Sequence, residues 1–181
     1  MNPNLRAAQK YAGQGWPVFP VWWIEGDRCG CGKVDCQHPG KHPIGQLAPN
    51  GRNSATTDLE KIKDWWGKCP KANIGIATGP ESGVVVVDVD PRHGGLDSLK
   101  KLEALGSFPH TLKAKTGSGG WHILLAHPGN GQKIKSRPLP GYPGIDIKGD
   151  GGYIVAPPSN HISGGAYSWE IGPDTATGGN Q

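Results

Sequence analysis

The sequence predicts an α+β fold, with helices and hairpin-forming strands mixed along one chain. Three observations carry this. Val84 to Val87 is an unbroken β-branched run, the mark of a strand buried on both faces. Two pairs of short apolar runs flank glycine-rich linkers, as hairpins do: Thr111–Lys115 and Trp121–Ala126 around Thr116-Gly117-Ser118-Gly119-Gly120, then Gly144–Lys148 and Tyr153–Ala156 around Gly149-Asp150-Gly151-Gly152. Apolar residues recur at helical spacing in Leu5–Tyr11 and Leu96–Leu105. The 181 residues suit one domain, or one plus a small insertion, and 35% apolar content is low but enough for a single core. The 30 glycines and 17 prolines fall between apolar runs, so they punctuate short elements instead of marking a disordered chain.

In chain order, Leu5, Ala8 and Tyr11 share one face of a short helix. Trp16–Ile24 is apolar and aromatic but holds Pro17 and Pro20, which suits a strand near an edge or a bulge. Glu25–Pro43 is polar and rich in glycine and cysteine, and reads as an insertion. Thr57-Asp58-Leu59-Glu60 opens a helix, with Thr57 able to cap it and Glu60 three residues on, running to about Trp66. Asn73–Thr78 and Val84–Val89 are strands on either side of the turn Gly79–Gly83. The helix Leu96–Leu105 carries leucines at every third position. After the first hairpin, Lys133–Pro143 is a basic, proline-rich loop. A last strand is expected at Ala166–Ile171, and residues 172–181 read as a frayed tail or a linker to a further region.

Net charge is only +4, but Ala104 to Ile145 holds Lys113, Lys115, Lys133, Lys135 and Arg137 with no acidic residue. A local positive face suits a polyanionic ligand; a solvated lysine face is the plainer alternative. No stretch approaches the ~20 apolar residues of a membrane span, and the N-terminal segment lacks the apolar core of a secretory signal. A soluble, cytoplasmic protein is expected. Cys29, Cys31 and Cys36 crowd into eight positions, which in a reducing compartment favours metal over disulfide. With His38 or His42 as the fourth ligand they suit a tetrahedral structural Zn2+. The insertion, centred on residues 28–42, is too polar to fold by burial. A zinc staple would order it and turn Lys33, Lys41 and Arg52 toward nucleic acid.

The sharpest chemical signal is Val84-Val85-Val86-Val87-Asp88-Val89-Asp90. Strand side chains alternate, so Asp88 and Asp90 point the same way, and two such carboxylates repel unless a cation sits between them. Mg2+ or Mn2+ accepts such oxygen ligands and keeps waters for phosphates. D-x-D alone also fits a strand that ends in polar residues. The second signal is Gly117-Ser118-Gly119-Gly120-Trp121-His122, where glycines let backbone N–H groups approach a phosphate, Ser118 adds a hydroxyl and His122 opens the next strand. The third is Gly144-Ile145-Asp146-Ile147-Lys148. Asp146 and Lys148 share a face there, an acid to complete a metal site and a cation to hold a triphosphate.

Together and in this order, these motifs resemble the N-terminal domain of bifunctional DNA primase-polymerases, in the archaeo-eukaryotic primase superfamily. Further matching stretches are Trp16-Pro17-Val18-Phe19-Pro20, Asn73-Ile74-Gly75-Ile76-Ala77-Thr78-Gly79 and Gly151-Gly152-Tyr153-Ile154-Val155-Ala156-Pro157-Pro158-Ser159. The resemblance implies one catalytic domain over residues 1–181, with an RRM-like subdomain of mixed or antiparallel sheet packed on a smaller α/β unit. It implies two divalent metals on Asp88, Asp90 and Asp146, His122 on the incoming triphosphate, and nucleotide contacts from Ser118, Gly119, Gly120 and Lys148. Single-stranded or primed DNA is the expected template, bound through Lys41, Arg52, Lys133, Lys135 and Arg137. The nucleotides are dNTPs, with rNTPs left open. A helicase in the same protein or replisome is a candidate partner, and the setting is phage, plasmid or mobile-element replication.

Two other readings use the same residues. In a metal-dependent nuclease or phosphodiesterase the acids activate water instead of a primer 3′-OH. A non-catalytic, zinc-stapled nucleic-acid-binding module would stack bases on Trp121 and Tyr142 and tolerate loss of Asp88. A dinucleotide-binding domain is disfavoured, because Gly117–Gly120 precedes a strand instead of opening a helix.

Overall fold

The computed structural model describes residues 2–106 and 109–173. Helix α1 spans Pro3–Gly13, longer than its apolar stripe, because the Asn2 side chain accepts from the N–H groups of Asn4 and Leu5 and caps it. Strand β1 (Val18–Val21) leads into a small hairpin, β2 (Ile24–Glu25) and β3 (Arg28–Cys29). Helix α2 spans Leu59–Lys68. Its cap is Asp58, which accepts from Glu60 and Lys61, and not the predicted Thr57. Then come β4 (Asn73–Ala77), β5 (Val84–Val89), α3 (Gly95–Leu105), β6 (Lys113–Lys115) and β7 (Trp121–Ala126). The chain closes with β8 (Arg137–Pro138), β9 (Ile145–Lys148), β10 (Tyr153–Ala156) and β11 (Ser168–Ile171). Of the expected frayed tail at residues 172–181, Gly172 and Pro173 are buried, which does not fit fraying there, and residues 174–181 lie outside the described residues.

Two main sheets form, and every paired strand in them is antiparallel. One has six strands in the order β11-β6-β7-β5-β9-β8, the other three in the order β1-β4-β10. The α+β class therefore holds. Pro20 sits in β1, an edge strand, where the missing N–H costs no ladder bond. The first predicted hairpin, β6–β7, is present in register. The second is not. β9 pairs with β5 in the large sheet while β10 pairs with β4 in the small one, so Gly149–Gly152 is a crossing between sheets. Glycine-rich spacing marks a sharp change of direction; it does not say that the flanking strands pair with each other.

The larger core lies between the sheets and under α1 and α2, with Phe19, Ile62, Trp66, Ile74, Ile76, Val86 and Leu124 all buried. A second cluster joins Val87, Val89, Ile123 and Ile145 to Leu99 of α3. Each buried Ile or Phe contributes about 1.5–3 kcal/mol, against about 0–1 kcal/mol for an exposed pair such as Glu60–Lys63, so stability resides in these layers. The leucine spacing of α3 overstated its buried face, since Leu96 and Leu105 are exposed. Strand β5 is buried on both faces, as its composition predicts. Val84 and Val86 belong to the larger core, and Val87 and Val89 to the smaller. Asp88 continues the Val84–Val86 row, at the point where the core between the sheets opens into a cleft.

Candidate active site

Antiparallel register places Asp88 opposite His122 of β7 on one side and Asp146 of β9 on the other. Directly paired residues have Cβ atoms about 4.5–5.5 Å apart, so three predicted side chains form one row across adjacent strands. Lys148 follows Asp146 on the same face. Its Nζ lies 2.9 Å from Asp146 Oδ2 and 3.6 Å from Asp88 Oδ2, so the ammonium bridges two carboxylates that would otherwise repel. Burial works against charge on Lys148, but the two carboxylates outweigh it and hold the ammonium above the ordinary lysine range. Burial also opposes charge on Asp88. His122, Lys148 and Lys41 overcome it, and the carboxyl sits below its usual range. His122 Nε2 is 3.5 Å from Asp88 Oδ1, while the buried Nδ1 has no partner among the described residues.

Asp90 lies just past β5. Its backbone N–H donates to Gly144 O and its carbonyl accepts from Gly95, so both neighbouring loops fix it. The carboxylate is gripped by Arg92 through Nε at 3.0 Å and Nη2 at 2.8 Å, and by His93 Nδ1 at 3.0 Å. The Arg92 fork holds the carboxyl well below the usual range. Asp88, Asp90, Arg92, His122, Asp146 and Lys148 line one cleft of about 600 Å3 between the two sheets.

The glycine-rich turn serves differently from expectation. Ser118 and Thr116 line the cleft, but Gly119 N–H donates to Thr116 O and Gly120 N–H to Thr116 Oγ1, so these donors are spent inside the turn. Gly120 is required for another reason: a Cβ there would fall on the Val89 carbonyl oxygen. The turn packs against the end of β5 and so fixes His122 beside Asp88.

The candidate DNA contacts divide three ways. Lys133, Lys135 and Arg137 are exposed, on the loop leading into the edge strand β8. Lys41 lines the cleft. Arg52 is committed elsewhere: its guanidinium donates to the carbonyls of Gly152 and Thr78 and pairs with Glu81, tying the three-stranded sheet to its neighbouring loops. Of the candidate stacking platforms, Trp121 already carries Lys113 Nζ over its ring at 4.0 Å, and Tyr142 packs on the smaller core.

The cysteine loop gathers Cys29, Cys31, Cys36 and His42, their ligand atoms all within 4.8 Å of one another. His42 Nε2 stands 3.5 Å from Cys29 Sγ and 3.4 Å from Cys36 Sγ. Ligands ~2.3 Å (S) and ~2.0–2.1 Å (N) from a tetrahedral zinc would be about 3.5 Å apart, so the donor set fits that ion. Burial, then Lys33 and His38, pushes His42 below the ordinary histidine range and favours the neutral form a metal needs. His38, the other candidate, lines the cleft of the acids instead.

Sequence reasoning passed over several residues that build this site. Arg92 was visible only as part of a turn. Tyr167 lines the cleft between His122 and His161, with ring centroids 5.8 and 5.9 Å away, and nothing local in the sequence marks it. Asn160 pairs with both backbone groups of Ile24 and, through Asn73, anchors the base of the cysteine loop.

The fold and the site define an α+β domain whose two antiparallel sheets enclose a cleft lined by acids and cations at strand ends. The chain belongs to the family of bifunctional DNA primase/polymerase N-terminal domains, whose model matches residues 8–178. That family performs primase and polymerase nucleotidyl transfer, with a DNA template and nucleotides as substrates and divalent metals in general use. No curated protein matches the chain. Among the described residues, no helix is long and apolar enough to cross a membrane.

Proposed function

We propose that this chain catalyses template-dependent addition of nucleotides to DNA at the Asp88–Asp90–Asp146 cleft by a two-metal mechanism. The observation that carries this is the cross-strand row, Asp88 between His122 and Asp146, with Lys148 bridging the acids. Hard carboxylate oxygens grouped at strand ends suit Mg2+ or Mn2+. When bound, such ions activate a primer 3′-OH and neutralise charge on the phosphates. Asp88, Asp90 and Asp146 would hold them. His122 and Ser118, which line the same cleft, would orient the triphosphate, and Lys148, released from the acids, would pair with it. Lys133, Lys135 and Arg137 offer the exposed cationic track for the template.

The strand order supports the RRM-like reading of the catalytic half. β5, α3, β6, β7 and β9 run in sequence, and the four strands lie as β6-β7-β5-β9 in space, all antiparallel. That is a β-α-β-β-α-β plan with its second helix replaced by the segment between β7 and β9. The smaller α/β unit is the three-stranded sheet with α1 and α2. The mobile-element setting and the helicase partner are proposed on the family resemblance alone.

Primer extension with labelled dNTPs and Mg2+ or Mn2+ tests the proposal. Wild type extends the primer, and the double variant Asp88→Ala/Asp90→Ala, folded by circular dichroism, does not. Extension by the folded double variant would sink the metal assignment. Shortening of the labelled strand without dNTPs would mark a nuclease instead.

A further inference from the structure

Lys41 and His38 enter the catalytic cleft from the cysteine loop, not from either sheet. Among the described residues neither side chain makes a hydrogen bond or an ion pair. The other cations there are engaged, Arg92 by Asp90 and Lys148 by Asp146 and Asp88. A half-buried ammonium without a partner has lost hydration and received no bond in return, so it is poised for an anion.

The segment that presents these two residues is clamped on both sides. Gly40 N–H donates to Cys29 Sγ at 3.4 Å, and His42 follows one residue after Lys41 as the fourth member of the cluster. From the core side, Asn73 Nδ2 donates to Gly40 O at 3.1 Å and Tyr153 Oη to Lys41 O at 3.0 Å. Gly40 has φ +73, where side chains are strained, and a Cβ would press on Ile24. The chain between Cys36 and His42 is thus a short turn, pinned by the cluster at its ends, with His38 and Lys41 facing the acids.

We infer that Lys41 and His38 bind the phosphates of the incoming nucleoside triphosphate, and that zinc in the Cys29–Cys31–Cys36–His42 cluster holds them in place. This rests on the nucleotidyl-transfer reading above. The cysteine loop is then part of the nucleotide site and not only a DNA-holding appendage. A cleft of about 600 Å3 suits one nucleotide, whereas the exposed Lys133, Lys135 and Arg137 lie outside it.

The test is equilibrium binding, which needs no turnover. The Kd for dATP without primer and the Kd for primer–template DNA are measured separately, with zinc counted by elemental analysis. Lys41→Ala weakens dATP about tenfold or more, as loss of a charge-assisted bond does, and leaves DNA binding within about twofold; Lys41→Arg recovers part of the loss. His38→Ala weakens dATP severalfold and keeps the zinc. Cys36→Ser loses the zinc and weakens dATP as much as Lys41→Ala, and the double variant is no worse than either single, because both remove the same contact. Unchanged dATP affinity in Lys41→Ala, or weakened DNA binding alone, overturns the assignment. Additive losses in the double variant overturn the coupling to zinc. If Cys36→Ser does not fold, His42→Cys, which keeps a zinc ligand, must retain dATP affinity for the coupling to stand. Wild type that binds no dATP removes the nucleotidyl-transfer reading as well.

Discussion

Lys148 decides how the acid row behaves without a divalent ion. Its ammonium is the counter-charge to both Asp88 and Asp146. Lys148→Ala is therefore expected to bind Mn2+ more tightly, by several-fold in a titration, because no internal cation competes for the carboxylates. The same variant should lose about 1–2 kcal/mol of stability in chelator, since two facing charges are left uncompensated. Asp90 carries a separate pH signature. Its folded-state pKa is depressed, first by Arg92, so its contribution to stability is full above the unfolded value of about 3.9 and drains away as pH falls below it. Acid titration of stability should be flatter in Asp90→Asn than in wild type between about pH 4 and pH 2; equal slopes would show that the Arg92 fork adds nothing. The shared faces of Asp88 with Asp90 and of Asp146 with Lys148 were legible because strand alternation is a strict rule of backbone geometry, whereas the grouping of the acids with His122 came from the family resemblance. Arg92 and Tyr167 were not, because one acts from a turn and the other arrives from a segment outside the strands that carry the acids.

Among elements, the cysteine loop and the β6–β7 turn make opposite demands. The loop has almost no apolar core of its own, so the metal should hold it together. About one Zn2+ per chain is expected; Cys31→Ser and His42→Ala should lose it and His38→Ala should keep it. Zinc retention should fall as pH drops, because protons compete for ligands such as the Cys29 thiol, which burial pushes up to about 11. Unfolding of the main core on zinc loss would show that the loop is no separate insertion. The turn before β7 depends on close backbone contact instead. Gly120→Ala should cost about 2–3 kcal/mol and lower Tm by roughly 5–10 °C, since the added methyl meets the rigid Val89 carbonyl. The spacing of cysteines announced the loop, yet could not choose between His38 and His42. That choice depends on how the chain bends at Gly40, which local composition does not encode.

At the scale of the whole molecule, charge is arranged as an inner and an outer set. The outer set, Lys133, Lys135 and Arg137, should act through phosphates and counterion release. Replacing all three by alanine should lower the slope of log Kd for single-stranded DNA against log salt by about 2, with little change in dATP binding. An unchanged slope would place the template elsewhere. The class of fold was readable from periodicity and punctuation, because each strand and helix announces its own faces. Which strands pair is a long-range matter, and there the glycines of 149–152 misled: they carry the chain from one sheet to the other. That crossing is one of three. Residues 78–83 and 157–167 also pass between the sheets. The two halves are thus laced together like a shoe, and a cut in one lace does not open it. A protease nick at Gly151 should leave a molecule that elutes as one intact particle and separates into two fragments only in denaturant. Neither half is a module that evolution or an engineer could lift out alone.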